Sequence, residues 1–330
     1  MDARAHVLGG FSIDAVRYAD GSYDVDRLGG NAFWAALGAR LAGGTPSVHA
    51  VVGIDYPEEA LTRLGAIGID VRGVVRRLDL PSTRVTFSYG EDGSRTQPAD
   101  EAALGTVPDL DHQRFIDNTD REDLLLATLP TIHDLGVAAE GGHVRGGSDA
   151  WHLGLLPAVR LRELVGCLQD EGYLQIDCAE RGELLRDGCG VLRDVLPLVD
   201  TFLPSTSDAA VFLPGMSPSD LVATFHEWGA RSIVLKCGEQ GALVSVDGRC
   251  WHVPVFRDPR EFDPTGAGDV FGGACVTVMA EAGDLVSAAV AGAAAASFAT
   301  AVRSPLDLTR VRREDYESRR QFIASRVEEA

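Results

Sequence analysis

The residue spacing richest in chemistry is Asp263-Pro-Thr-Gly-Ala-Gly-Asp269, set between an apolar run from Trp251 to Phe256 and an apolar stretch through Val270, Phe271, Val276 and Met279. Glycines at 266 and 268 permit a tight strand-to-helix turn, so the first helical amides converge where the helix dipole also favours an anion. Gly266, Ala267 and Gly268 would thus cradle an oxyanion or a phosphate. Asp269, in the first turn, is placed to accept the proton of a hydroxyl attacking a phosphorus held there. A plainer reading makes Asp269 an ordinary helix-stabilising acid, but acids at both ends of the seven-residue unit favour the chemical one.

Other candidates are single residues. Asp14 follows the apolar segment from Ala5 through Gly9-Gly10, and an ionised carboxylate there can accept hydrogen bonds from vicinal hydroxyls or cap a local turn. Lys236 is the one lysine of the chain and stands where an apolar strand meets Cys237-Gly-Glu-Gln-Gly241, within reach of a phosphate or an ion-pair partner. Arg84 and Arg95 are candidates for gripping an anionic group, with a surface role as the alternative. Asp55, before Tyr56-Pro57, suits a helix N-cap.

These residues need elements to hold them. The segment Ala5–Asp14 suits a strand feeding a loop, and Val48–Val52, Val71–Val75, Leu124–Thr128, Ala150–Leu155, Leu174–Asp177, Thr201–Leu203 and Ser232–Leu235 read as strands, most of them separated by helical stretches such as Ala32–Leu41 and Pro57–Ile67. That βα rhythm predicts a three-layer αβα sandwich with a mostly parallel sheet. Two strand-like excursions, 15–30 and 82–98, interrupt it, the second turning at Glu91-Asp92-Gly93-Ser94. They predict a small β lid over a larger α/β domain of residues 1–14, 31–81 and 99–330. Segment 134–149, rich in glycine and polar residues, reads as a loop inside that domain.

Composition narrows the function. The chain has 330 residues, 45% hydrophobic and 24% charged, with a formal net charge of −19. This acidity opposes nucleic acid and anionic membranes. The arginines at 310, 312, 313, 319 and 320 alternate with acids and read as a solvated helix face. Six cysteines and eight histidines show neither CxxC nor HExxH spacing, so reduced thiols and no structural metal are expected. The Ala-rich run 288–301 is too short and too weakly apolar to span a bilayer, and no secretory signal is visible; a cytoplasmic protein is expected.

Taken together, these motifs resemble the ribokinase-like (PfkB) carbohydrate kinases along nearly the whole chain. The resemblance rests on Gly9-Gly10 with Asp14, on Gly29-Gly30 before Asn31–Leu41, on Val51-Val-Gly-Ile-Asp55 with Leu64-Gly-Ala-Ile-Gly-Ile-Asp70, on Val234-Leu-Lys-Cys-Gly238-Glu-Gln-Gly241, and on Asp263 to Asp269. It implies a ribokinase-like fold and transfer of the γ-phosphoryl group of ATP, with Mg²⁺, to a hydroxyl of a sugar, polyol or sugar derivative. Asp269 would be the base, with Gly266, Ala267 and Gly268 as the anion hole. Asp14, Gly29, Gly30, Asn31, Arg84 and Arg95 would bind the acceptor. Lys236, Gly238, Gly241, Thr265 and Ser297 would bind the nucleotide, its adenine lying between the Gly238–Gly241 turn, the segment before Asp263 and the helix around Ala293–Ser297.

There are departures from the family pattern. Ser205-Thr-Ser-Asp208 replaces an Asn-x-x-Glu motif, so Asp208 would serve Mg²⁺ through water, and Asp177-Cys-Ala-Glu-Arg181 lacks the asparagine of Asp-x-Asn-x-Arg. Phe33-Trp34 stand where an asparagine is usual; they suit a bulkier acceptor or core packing. A nucleoside kinase and a non-catalytic ligand-binding or regulatory member of the family are the alternatives, and a homodimer through the lid is compatible with exposed sheet edges. A nicotinamide dehydrogenase is disfavoured because Gly9-Gly10 does not complete GxGxxG.

Overall fold

A computed structural model of the chain describes residues 4–91, 94–135, 149–259 and 264–330. Its strands, in chain order, are β1 (Ala5–Leu8), β2 (Ser12–Arg17), β3 (Tyr23–Gly29), β4 (Ser47–Val52), β5 (Asp70–Arg76), β6 (Thr83–Tyr89), β7 (Arg95–Thr96), β8 (Ala150–Leu153), β9 (Tyr173–Ile176), β10 (Thr201–Phe202), β11 (Ser232–Lys236), β12 (Ala242–Val246), β13 (Arg249–Val253) and β14 (Glu328–Glu329). The helices are α1 (Asn31–Leu41), α2 (Glu58–Ala66), α3 (Glu101–Leu104), α4 (Asp109–His112), α5 (Glu122–Ala127), α6 (Ala158–Leu168), α7 (Arg181–Asp187), α8 (Gly190–Val195), α9 (Thr206–Phe212), α10 (Pro218–Glu227), α11 (Ala267–Ala282), α12 (Leu285–Ala299) and α13 (Arg313–Ala324).

Ten strands form one sheet in the order β14-β13-β12-β11-β10-β9-β8-β1-β4-β5. It is parallel from β5 to β11 and antiparallel beyond. The central strands are apolar on both faces, as burial under helices on two sides requires. Val7, Val48, Ala50 and Val52 pack with α1, α2, α11 and α12, while Leu8, Trp151, Leu153 and Ile176 pack with α6, α8 and α10 on the other face. This is the expected three-layer αβα sandwich.

A second sheet, β3-β2-β6-β7, forms the lid. It begins at Ser12, three residues before the predicted boundary, because Ser12–Arg17 pair continuously with Thr83–Ser88. Alternation along β6 separates two faces. Thr83, Val85 and Phe87 turn toward the larger domain. Thr86, on the other face, is engaged by the segment that follows the lid: its amide donates to Asp117 at 2.8 Å and its hydroxyl accepts from Ala99 N at 3.0 Å. Leu104, Val107 and Phe115 complete that cover against Tyr23. The outer face of the lid around Thr86 and Ser88 is therefore covered by the chain itself.

Several expectations are corrected. Leu124–Thr128 is not a strand; it lies mostly within α5, where Glu122 and Asp123 open the first turn and the leucines and alanine favour helix over strand. The arginine-rich terminal stretch is not uniformly solvated, since Arg319 is buried against Asp258 and stacks on Phe298. Asp55 does not cap α2, whose N-cap position is Pro57. It accepts instead from Ser82 N at 2.7 Å and from Arg84 at 2.9 Å. Asp92-Gly93 of the lid turn, most of segment 134–149 and Asp263 lie outside the described residues.

Candidate active site

Helix α11 starts at Ala267 with Gly266 as its N-cap, in the left-handed region at φ 78°. A β-carbon at 266 would lie 2.3 Å from Trp34 Cδ2, so the turn needs glycine both for its dihedral and for the indole beneath it. Trp34 gets there because α1 and α11 are in close contact: a β-carbon on Gly273 would sit 1.8 Å from the Ala35 carbonyl. The two adjacent aromatics thus part company. Phe33 is core, edge-on to Phe11, while Trp34 reaches the wall of a cavity.

That cavity, about 300 Å³, lies between lid and sheet. Asp14 and Asp269 both line it, as do Gly30, Asn31, Arg95, Thr265 and Gly266. Leu125, Leu129, Leu155 and Pro157 give it an apolar wall.

Burial pushes the Asp269 carboxyl up to about 7; Asp177 and Asp208 add to the rise, and Lys236 and Arg95 oppose it. A carboxyl titrating there can take up or release a proton near neutral pH. Asp14 is also raised by burial, against the nearby Arg27 and the Ser12 hydroxyl, which donates to it at 2.6 Å. Its carboxylate fills the space a side chain on Gly29 would need, which explains the first of the paired glycines.

Not every predicted residue is at the cavity. Arg84 points to the far face of β6 and pairs with Asp55 at 2.9 Å and Asp26 at 3.5 Å, because its neighbours Thr83 and Val85 take the cavity side. Asn31 is present, but its amide is committed to backbone: Oδ1 accepts from Gly10 N and Ala32 N, and Nδ2 donates to Leu155 O. It fixes three segments around the cavity. Ala267 donates its amide to the Pro264 carbonyl at 3.1 Å, so of the three proposed anion-hole amides that one serves the turn. Thr265 lines this cavity and bonds to the Tyr89 hydroxyl of the lid.

Lys236 is not solvated. Its ammonium donates to Asp177 Oδ2 at 2.6 Å, in an almost buried pair beside Gly268. Beneath α11, Gln175 donates to the Gly272 carbonyl at 2.8 Å and lies 2.9 Å from His152 Nδ1. Burial drives His152 down to about 3, so it is neutral. Sequence reading had no signal for the Arg27 beside Asp14, for His152 or for Tyr89, since each acts through a partner distant in the chain.

A second, more open cleft of about 780 Å³ adjoins the Gly238–Gly241 turn. Glu239, Gln240, Pro254, Val255, Phe256 and Phe322 line it, an apolar floor with polar rims. Ser297 does not reach this cleft; it is buried and accepts from Arg319 at 2.9 Å, which places α13 rather than α12 at the cleft wall.

For a metal, the described residues hold no group of three His, Cys, Asp or Glu side chains able to bind one. Asp208 receives the Ser205 hydroxyl at 2.5 Å and faces Arg181 at 3.3 Å. A single hard oxygen donor fits Mg²⁺, which keeps most of its waters and binds largely through phosphates.

The described residues form no helix long and apolar enough to cross a membrane. Residues 181–308 match the model of the pfkB family carbohydrate kinases. Over 272 residues the chain is 27% identical to a cytidine kinase of Thermococcus kodakarensis, covering 81% of this chain and 85% of that one. The structure resembles an E. coli protein described as a ribokinase II in complex with ATP and Mg²⁺, at 20% identity and TM-score 0.68 over 97% of this chain and 99% of that one. It also resembles Salmonella enterica aminoimidazole riboside kinase complexed with aminoimidazole riboside and an ATP analogue, at 16% identity and TM-score 0.70 over 96% and 100%. With the mostly parallel sheet, its flanking helices and the small second sheet in place, the chain has the ribokinase-like α/β sandwich fold, and residues 181–308 are similar to the pfkB family carbohydrate kinases.

Proposed function

We propose that the enzyme transfers the γ-phosphoryl group of ATP to a hydroxyl of a polyhydroxylated acceptor held between Asp14 and Asp269. The observation that carries this reading is the convergence of both carboxylates with the Gly266 turn on one cavity under the lid. Asp14 orients acceptor hydroxyls. Asp269 takes the proton of the attacking hydroxyl as its oxygen bonds to the γ-phosphorus and the bond from that phosphorus to the β,γ-bridging oxygen breaks, releasing ADP. The first turn of α11 faces the charge that develops. The cleft beside Glu239 and Phe256 takes the nucleoside part of ATP. Asp208 would hold Mg²⁺ through water, and that ion, when bound, neutralises phosphate charge. The lid keeps out water that would otherwise hydrolyse ATP.

A nucleoside acceptor is favoured over a free sugar by the apolar wall of Leu125, Leu129, Leu155 and Pro157, which a sugar alone would leave uncovered. ADP release measured with ATP and Mg²⁺ across nucleosides, sugars and polyols tests both statements. Acceptor-dependent turnover that falls about 10²- to 10⁴-fold in Asp269→Asn is expected. A variant keeping more than about a tenth of the rate would overturn the base assignment. Higher kcat/KM for free sugars than for nucleosides would overturn the acceptor preference.

A further inference from the structure

An acceptor in the cavity has oxygen lone pairs as well as protons to satisfy, and the buried walls offer few donors. Ser12 gives its hydroxyl to Asp14, Asn31 spends its amide on backbone, and Thr119 donates to Asp117 at 2.6 Å. Thr83 and Thr265 are hydrogen-bonded to Thr128 and Tyr89, and Glu180 accepts from the amides of Gly182 and Glu183. Arg95 and Gln97 stand at the exposed rim. Asp14 and Asp269, once ionised, can only accept.

One buried donor is left over. Trp34 lines the cavity and is only 2% exposed. Its Nε1–H has no hydrogen-bond partner among the described residues, and unlike Trp151 Nε1 it is not closed off from open space. A buried indole N–H ordinarily has a partner. The ring is also fixed where it stands. A β-carbon on Gly266 would strike Cδ2, Cε2 and Cγ, so the five-membered ring that carries the N–H lies against the α11 turn. Behind it α1 is locked to α11, since β-carbons on Gly38 and Gly273 would strike the carbonyls of Val270 and Ala35. Trp34 N donates to Gly30 O at 3.1 Å in the first turn of α1, and the Asp14 carboxylate packs on the preceding Gly29. Trp34 thus links the Asp14 end of the cavity to the Gly266 end.

We propose that Trp34 is a specificity-determining residue whose Nε1–H donates to a non-reacting hydroxyl of the acceptor, one of a vicinal pair held by Asp14. This deepens the kinase reading above and rests on it. An indole only donates and a carboxylate only accepts, so a hydroxyl between them has one orientation: its oxygen accepts from Trp34 and its proton points to Asp14. The reacting hydroxyl is left to Asp269, because an oxygen lone pair tied to an N–H is a weaker nucleophile. An acceptor without the vicinal hydroxyl would bury the N–H unmatched, which is how a hydrogen-bonding site rejects a deoxy analogue. The substrate class that follows is a ribonucleoside, with both vicinal hydroxyls, rather than a deoxynucleoside.

The test measures kcat/KM of wild type and Trp34→Phe with adenosine, uridine and ribose, each beside its 2- and 3-deoxy analogues. Phenylalanine keeps an aromatic ring under Gly266 and removes the N–H. Wild type is expected to disfavour one of the two deoxy analogues by about tenfold or more, and Trp34→Phe to lose at least about fivefold of that discrimination. A purely structural role would lower the rate with ribo and deoxy acceptors alike. A second readout needs no variant: acceptor added to wild type without ATP should change the tryptophan fluorescence. Equal discrimination in the two proteins, for both analogues, would overturn the assignment. So would wild-type emission that stays constant while calorimetry shows the acceptor bound. A wild-type protein that turns over none of these acceptors would instead defeat the kinase reading, and this inference with it.

Discussion

The indole of Trp34 fills the space that any side chain on Gly266 would enter, with Cδ2 2.3 Å from where a β-carbon would stand. The N-terminus of α11 is thus shaped by a residue from α1, more than two hundred positions earlier. Gly266→Ala must either displace a buried ring or open the turn, and its φ of 78° adds strain for any L side chain. A loss of activity of about 10²-fold or more is expected with a folded protein, because misplacing the anion site by an ångström costs that much. Trp34→Leu in the Gly266→Ala background should restore part of the rate. No recovery in the double variant would show that the dihedral, not the ring, is decisive.

Asp269 gives the activity and the stability opposite pH slopes. The folded carboxyl holds its proton up to about pH 7, whereas an unfolded aspartate loses it near pH 4. Activity that needs the carboxylate should rise through about pH 7, with kcat/KM gaining about tenfold per pH unit below it. Stability runs the other way: the contribution is fully present below about pH 4 and is lost as pH rises through about 7. Asp269→Asn should therefore melt at a higher temperature than wild type at pH 8, by a margin that shrinks at pH 5. Thermal melts at the two pH values decide it; a margin that does not change with pH would mean the group is ionised throughout.

Asp14 and Arg27 are 3.7 Å apart and both buried, so the acceptor role proposed for Asp14 predicts that Arg27 supports it. Arg27→Met leaves a buried carboxyl without its counter-charge, which should cost about 3 kcal/mol of stability and raise acceptor KM. Adding Asp14→Asn should recover much of the stability but none of the binding. Urea unfolding of the two variants tests this, and a double variant no more stable than Arg27→Met would rule the coupling out.

Tyr89 and Thr265 tie the lid to the loop before α11. Tyr89→Phe and Thr265→Val each delete one partner of that bond, whose net worth is about 1 kcal/mol. Acceptor KM should rise about threefold to tenfold, and amides of β6 and β7 should exchange faster with solvent. Unaltered exchange in both variants would show that the lid is held by its apolar face alone.

The sequence by itself determined the class of fold and the glycine turn that opens α11. The βα alternation required helices on both faces of a mostly parallel sheet, and Gly-Ala-Gly-Asp after a strand required a helix N-terminus with an acid in its first turn, because both follow from interactions within a few residues. Where local signals were weak, the reading failed: Leu124–Thr128 is apolar enough for a strand or a helix, and the two acids ahead of it favour helix. Tertiary structure alone decided which charges are free. Arg84 and Arg95 look alike in the chain, yet strand alternation and the position of Asp55 neutralise one and leave the other facing the cavity. Likewise Lys236 finds Asp177, and Ser297 vanishes beneath Arg319. Electrostatic partnership depends on distance through space, which the order of residues along the chain does not encode.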